Sequence, residues 1–287
     1  MIQITKNNLD KIIDEYYQKS LTLIDNIDDI NCDLVCAFDK DFEQIIKLTP
    51  YEMDELINIE GISEDRFKNF KIFYNKFRNK YAVWLIEELD IKVCPYCNRE
   101  YIFKFEDSKK GTSRTIATFD HYYSKSKYPF LAISFYNLIP SCHICNSKFK
   151  HTKDFTIEEY LHPYIDDFNT KAKFHTYLKN STHSKIDDIY LELKAIDKDD
   201  KRTQNIITTF RLNDLYQNHK DTVLELIQKR EIYPDSYIDE LYRNYSFFNN
   251  KEDVLRLITG GYVDDKDLGK RPLSKLIKDI SEELELI

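Results

Sequence analysis

Two Cys-x-x-Cys pairs constrain the fold of this chain more than any other feature of its sequence. Cys94-Pro-Tyr-Cys97 and Cys142-His-Ile-Cys145 are separated by 44 residues. Each pair can place two sulfurs on one tight turn, and four thiolates complete the tetrahedral coordination of Zn²⁺ in a closed, structural site. One such pair also occurs by chance or in a redox motif, whereas two pairs in one chain favour zinc. The predicted ligands of this structural zinc are Cys94, Cys97, Cys142 and Cys145.

Length and composition are those of a folded globular protein. The chain has 287 residues, of which 42% are hydrophobic, and this is enough for one large domain or two smaller ones. Its start lacks a basic segment followed by an apolar run, and no later stretch approaches the roughly 18 apolar residues of a membrane span. We therefore expect a cytoplasmic protein without membrane association. In that compartment, Cys32 and Cys36, which have a different spacing, are predicted to be buried thiols.

The two ends of the chain have the apolar periodicity of helices. Residues 1–91 are predicted to form an N-terminal helical region, with apolar residues at helical spacing from Leu9 onward. Thr49-Pro50-Tyr51-Glu52 has the form of a capping box with proline at the first helical position. Residues 153–287 form a mainly helical C-terminal region, which is polar and less regular until about Arg202 and has a predicted helix stop at Gly260-Gly261.

The middle of the chain, residues 92–152, is predicted to be a separate core that contains the zinc site. Its apolar residues switch to a period of two, and Ser108-Lys109-Lys110-Gly111 interrupts them as the turn of a hairpin. With the helical regions on either side, the predicted fold class is α+β and mostly helical.

Charge is distributed unevenly along the chain. Residues 92–151 contain ten basic and four acidic residues, a net charge of +6, whereas the whole chain carries −8, so the remainder carries −14. A basic segment of this kind attracts phosphate. Four lysines near the second cysteine pair are the candidate phosphate contacts, with ordinary surface lysines as the alternative reading: Lys125, Lys127, Lys148 and Lys150.

Between and beside the cysteine pairs lie the residues suited to phosphodiester hydrolysis. Asp120-His121 follows a strand-like segment, Asn137 comes sixteen residues after His121, and Asn146 directly follows Cys145. Hydrolysis of a phosphodiester requires a base that activates water and a cation that neutralises charge on the phosphate. A histidine next to a carboxylate, with an amide oxygen on a facing helix, supplies those groups.

The complete pattern resembles the HNH endonuclease motif in its zinc-stabilised form, a ββα-metal fold that binds one divalent cation. The resemblance implies that Asp120 is the first metal ligand and that His121 is the general base. It implies further that Asn137 braces the loop and helps to orient the base, and that Asn146 completes the site for Mg²⁺ or Mn²⁺. The motif departs from the family at Lys125–Ala132, where a glycine-rich step is common, and at His151, where glycine often follows the last lysine.

The segment KSKYPFLAISFYNLIPSC is similar to the HNH nuclease subunit of Septu-type anti-phage systems. This resemblance implies an effector nuclease that acts with an ABC-type ATPase partner and cleaves invading DNA. The residues themselves leave RNA open as a substrate. The alternative function is a zinc-stabilised nucleic-acid-binding or adaptor protein without catalysis, which would have no physical need for Asp120, His121 and Asn146 together.

Overall fold

The computed structural model describes residues 2–59, 64–108, 111–179 and 185–287. Over these residues the protein is α+β and mostly helical, with three two-stranded antiparallel sheets, and the predicted fold class is confirmed at this level. The chain forms two compact units that are each discontinuous in sequence. The cleft unit comprises residues 3–91 and 102–166, and the C-terminal unit comprises residues 92–101 and 167–287 with Ile2. Within the described residues, no helix combines the length and the apolar character needed to cross a membrane.

The cleft unit begins with helices. Their bounds are α1 Leu9–Leu21, α2 Ile27–Phe38, α3 Phe42–Lys47, α4 Pro50–Ile57 and α5 Asn69–Leu89. The capping box predicted at Thr49 is confirmed, because Thr49 accepts from the Glu52 backbone N–H and the Glu52 side chain accepts from that of Thr49. Buried aromatic rings pack between these helices and the residues before the second cysteine pair. Tyr16 contacts Phe77 and Phe135 at centroid distances of 4.5 and 5.3 Å and donates to the Ile133 carbonyl oxygen.

Two hairpin-like pairs follow in the cleft unit. Strands β1 (Lys104–Asp107) and β2 (Thr112–Thr115) pair in antiparallel register, as the predicted hairpin requires. Its turn residues Lys109 and Lys110 lie outside the described residues. Strands β3 (Thr118–His121) and β4 (Leu138–Ser141) pair with Asp120 opposite Ile139 and His121 opposite Leu138.

A short π-helix, Ile144–Lys150, follows β4 in the cleft unit. The backbone N–H of His151 donates to the Asn146 carbonyl oxygen at 2.9 Å, an i to i−5 bond that closes this wide turn. His151 then adopts φ +47° and ψ −111°, a left-handed conformation that glycine adopts far more readily than histidine.

The C-terminal unit contains the third sheet and six helices of the described chain. The strands are β5 (Ala172–Leu178) and β6 (Ile189–Ala195), and the helices are α6 Lys201–Thr209, α7 Leu212–Tyr216, α8 Lys220–Ile232, α9 Asp235–Asn244, α10 Lys251–Thr259 and α11 Ser274–Glu283. The prediction of a less regular segment before Arg202 is wrong, because Ile189, Leu191 and Leu193 alternate with polar residues and bury one face of β6. Gly260 ends α10 at φ +80°, as predicted.

Candidate active site and metal centre

The four cysteines of the two Cys-x-x-Cys pairs form one buried cluster. The sulfurs of Cys94, Cys97, Cys142 and Cys145 all lie within 4.8 Å of one another. Tetrahedral coordination with Zn–S bonds of about 2.3 Å places the sulfurs about 3.8 Å apart, so this cluster fits a zinc ion. Among the described residues, it is the only group of three or more histidine, cysteine or carboxylate side chains arranged to hold a metal. The predicted convergence of the two pairs is confirmed, and the group can hold a metal such as zinc.

The turn of the first pair is fixed by the residue that follows it. Asn98 is buried and adopts a left-handed φ of +50°, and its backbone N–H donates to the Cys94 carbonyl oxygen at 2.8 Å. The Asn98 side chain donates to the Leu268 carbonyl oxygen at 2.9 Å and accepts from the Lys275 backbone N–H at 3.0 Å. Asn98 therefore ties this turn to residues near the end of the chain, a role that sequence reasoning missed.

The turn of the second pair is stabilised by one of its own sulfurs. The backbone N–H of Cys145 donates to Cys142 Sγ at 3.4 Å. This bond fixes the position of the Cys142 sulfur on the same turn as Cys145.

The prediction for the other two cysteines is wrong. Cys32 and Cys36 are exposed. Helix α2 buries Leu34 and Phe38, and the cysteines lie four residues apart on a different face of the same helix.

Asp120, His121 and Asn146 line one cleft in the cleft unit. The cleft has a volume of about 620 Å³. Strand β3 supplies Asp120 and His121, and the π-helix supplies Asn146 and Lys150. Since β3 pairs with β4 and the π-helix begins only three residues after β4 ends, these residues reach the same cleft from both sides.

His121 is held as a neutral imidazole with a defined tautomer. Its Nε2 lies 3.0 Å from the Ala132 carbonyl oxygen, which can only accept, so Nε2 carries the hydrogen and Nδ1 retains a lone pair. Burial, and then the nearby positive charges of Lys125 and Lys150, hold the pKa of His121 well below its ordinary value of 6.5. The ring is therefore able to accept a proton through Nδ1 at neutral pH.

Asn137 is fully buried and lies behind His121 rather than in the lining of the cleft. Its side-chain oxygen accepts from the Tyr123 backbone N–H at 2.7 Å, and its amide donates to the carbonyl oxygens of Leu131 and Tyr123 at 2.8 and 3.2 Å. These bonds fix the loop between β3 and β4. Because Ala132, next to Leu131, supplies the carbonyl that orients His121, Asn137 acts on the histidine through the backbone.

Asn146 is half-buried at the start of the π-helix. Its Nδ2 donates to Thr118 Oγ1 at 3.0 Å, and that hydroxyl in turn donates to the Ser141 carbonyl oxygen at 3.0 Å. These two hydrogen bonds fix the orientation of the Asn146 side-chain amide. They use its nitrogen and not its oxygen Oδ1, which is the atom that can bind a hard cation.

Lys150 is buried next to Asp120. Its Nζ lies 3.1 Å from Asp120 Oδ1 and 2.6 Å from the His121 carbonyl oxygen, and both side chains are less than 5% exposed. Its Nζ also lies 4.8 Å from the centre of the Phe155 ring. Lys150 thus holds strand β3 and neutralises Asp120, and it can contact a phosphate only inside the cleft.

The other predicted phosphate-contacting lysines are placed differently. Lys125 is half-buried with its Nζ 4.5 Å over the Tyr74 ring, and burial and then the like charges of Arg78 and Lys71 lower its pKa. Lys127 is exposed and pairs with Asp154 at 2.5 Å. Lys148 is exposed and lies outside the lining of the cleft.

The cleft as a whole is basic. Five lysine or arginine side chains and two carboxylates line it among the described residues. Sequence reasoning missed Tyr74 and Arg78 of α5, which also line the cleft, with the Tyr74 ring packed edge-on against His121 at 4.4 Å. No local signal marks them, because helical periodicity explains Tyr74 equally well as a core residue.

Replacing Lys150 with methionine is expected to lower the free energy of unfolding by about 3 kcal/mol, because Asp120 loses a buried cation. Urea unfolding of the full chain, followed by circular dichroism, measures this change. Lys148→Met removes an exposed lysine two residues earlier and should change the free energy by less than about 0.5 kcal/mol. Equal effects of the two variants would show that the buried pair does not stabilise the fold.

No protein-family model matches this chain, and comparisons with curated proteins and with solved structures gave no significant match.

Proposed function

We propose that this protein is a metal-dependent HNH-type endonuclease that hydrolyses phosphodiester bonds in nucleic acid. One observation carries the proposal: a neutral, oriented His121 lies next to Asp120 in a basic cleft that Asn146 also lines. General base, oxygen ligands and cationic walls are the groups that phosphodiester hydrolysis needs.

The chain's own residues divide the work of the proposed reaction. His121 accepts a proton from the attacking water through Nδ1, and its Nε2–H stays bonded to the Ala132 carbonyl oxygen, which holds the ring in place. Arg78 and Lys125 attract the phosphodiester to the cleft and orient it. Asn137 and Lys150 keep β3 and the following loop in position for this transfer.

Asp120 and Asn146 would hold a divalent cation, Mg²⁺ or Mn²⁺, in this site. A carboxylate and an amide oxygen suit a hard cation that takes its remaining ligands from water and phosphate. When bound, the cation supplies charge neutralisation on the phosphate and the leaving oxygen.

In this proposal the strands β3 and β4 and the π-helix are the ββα-metal core, and zinc bound by the four cysteines is structural. A metal held by four thiolates has no open position for water, so it stabilises the fold and takes no part in hydrolysis. Zinc and the catalytic cation therefore have separate ligands.

The charge distribution supports control by a partner. Outside residues 92–151 the chain carries −14, so most of it repels nucleic acid, and the isolated protein should bind weakly and with strong salt dependence. A protein partner that supplies a basic DNA-binding surface would raise the effective concentration of substrate at the cleft. Together with the resemblance to Septu systems, this leads us to propose a cytoplasmic anti-phage effector nuclease that cleaves DNA with an ABC-type ATPase.

One observation favours the alternative of a zinc-stabilised binding or adaptor protein. The Asp120 carboxylate already faces a buried ammonium group, that of Lys150, which offsets the charge that would attract a divalent cation. If Lys150 prevents a cation from binding to Asp120, the basic side chains of the cleft can still bind phosphate, but the cleft cannot hydrolyse a phosphodiester bond.

Cleavage assays test the proposal. Purified zinc-loaded protein is incubated with plasmid DNA, single-stranded DNA and RNA, each with Mg²⁺, with Mn²⁺ and with neither, alone and with a candidate ABC-type ATPase partner. We expect DNA cleavage that requires the added cation and rises with the ATPase. Binding without cleavage under every condition would favour the adaptor function.

A further inference from the structure

One face of the β1–β2 hairpin carries three exposed large apolar side chains and an arginine, Arg114, which forms an ion pair with Asp107 on the same face at 3.4 Å. Phe105 and Arg114 are direct partners in the antiparallel register, so their side chains lie on the same face. Phe103 lies two residues before Phe105 and Ile116 lies two residues after Arg114, so the alternation of strand side chains places both on that face. The Ile116 N–H donates to the Phe103 carbonyl oxygen at 3.2 Å. Phe103 is 43% exposed, Phe105 40% and Ile116 46%.

The opposite face of the hairpin is turned toward α5. Lys104, which alternates with Phe103 and Phe105, forms an ion pair with Glu87 near the end of α5. The hairpin is thus attached to the cleft unit through its polar face, and its apolar face points away from that attachment.

The composition of the exposed face fits unpaired nucleotides. Phenylalanine rings stack on bases of any sequence, and arginine adds cation–π and phosphate contacts. Between residues 103 and 116 the chain has four basic and two acidic residues, and of these Lys104 pairs with Glu87 and Arg114 with Asp107. The segment keeps a net positive charge, which favours phosphate. Scattered apolar residues are common on protein surfaces, but aromatic rings in register with arginine on one hairpin face form a stacking surface.

The hairpin also lies close to the cleft along the chain. Ile116 comes two residues before Thr118, which lines the cleft. On α5, Arg78 lines the cleft and Glu87 meets the hairpin nine residues later, which corresponds to about 14 Å of helix.

We infer that the face formed by Phe103, Phe105, Arg114 and Ile116 binds unpaired bases of the nucleic acid whose backbone enters the cleft. This inference rests on the proposed function and specifies its substrate: a strand with unpaired bases near the bond that is cleaved. Fully paired DNA offers no base faces to this surface, so the protein should prefer single-stranded or locally opened nucleic acid.

Binding of single-stranded oligonucleotides tests the inference without cleavage. The full-length, zinc-loaded protein is titrated, with no added Mg²⁺ or Mn²⁺, against a fluorescent oligonucleotide and against an abasic one of the same length. Stacking predicts about tenfold or tighter binding to the strand with bases. The double variant Phe103→Ala/Phe105→Ala should lose this preference while still binding the abasic strand as the wild type does.

Two further variants make the test specific. Phe105→Tyr keeps a ring at the same position and should keep the preference for bases. Tyr51→Ala removes an aromatic side chain that is 61% exposed on α4 and should leave both affinities unchanged. Zinc content and circular dichroism confirm that each variant is folded.

The possible outcomes separate this inference from the proposed function. A protein that cleaves nucleic acid but binds abasic and normal strands equally well would overturn the stacking surface and leave the nuclease intact. Loss of binding to a protein partner in Phe103→Ala/Phe105→Ala, with base preference unchanged, would overturn it also and assign the face to that partner. A preference for bases that disappears in the double variant and persists in Phe105→Tyr would support it, whether or not cleavage is observed.

Discussion

Cys145→Ser is expected to release the bound zinc and to unfold the region around the second cysteine pair. Cys145 is fully buried, and its sulfur is one of four within 4.8 Å of each other. Structural zinc contributes roughly 10–16 kcal/mol of apparent binding free energy in zinc-finger peptides, which is comparable to or larger than the net stability of a typical domain. Elemental analysis of the purified wild type should give about one zinc per chain, and the variant should give less than a tenth of that.

Cys36→Ser is the matched control for this experiment. Cys36 is a cysteine of the same chain that is exposed on α2, outside the cluster, so its replacement should leave zinc content and circular dichroism unchanged. Folded wild-type protein that contains no zinc, or a Cys145→Ser protein that retains it, would contradict the assignment of these cysteines as ligands.

His121→Ala is expected to lower the cleavage rate by about 10²- to 10⁴-fold, the range typical for loss of a general base. The affinity for nucleic acid should change little, because the cationic side chains of the cleft remain. The effect should therefore appear in kcat rather than in binding. Single-turnover cleavage with saturating enzyme, together with a binding titration on the same substrate, separates the two quantities.

His175→Ala serves as the control for loss of an imidazole. His175 is a half-buried histidine on β5 that contacts Glu283, and it has no role in the proposed reaction. Its variant should cleave at the wild-type rate. If a folded His121→Ala protein also cleaves at that rate, another group must activate the water.

The parts of the structure that the sequence predicts well are those set by local chemistry. Thr49 and Glu52 form a capping box because the two groups they satisfy lie three residues apart on the same turn. The hairpin at β1 and β2 is visible because its strands are adjacent along the chain. The cysteine cluster is a long-range contact, but metal coordination requires the Cys-x-x-Cys spacing within each pair, and this spacing can be recognised in the sequence.

The parts that could not be predicted depend on contacts between distant residues. Tyr74 and Arg78 belong to the cleft only because α5 packs beside β3, and nothing in their own segment indicates this. Lys150 and the exposed Lys148 both neighbour Phe149 in the sequence, and the burial of Lys150 follows from the position of Asp120 on β3. The orientation of His121 is set by the backbone of Ala132, which carries no side-chain signature at all.

Asn98 has a consequence for the order in which the protein matures on the ribosome. The groups that hold the first cysteine turn through Asn98 include the Leu268 carbonyl and the backbone of Lys275, which are 170 and 177 residues further along. At a synthesis rate of about 5–20 residues per second, these partners emerge about 9–35 s after Asn98 itself. During that interval the first cysteine turn has only its local bond between Asn98 and Cys94 and, once Cys145 has emerged, the zinc, so metal binding must hold this turn before the last helix is made.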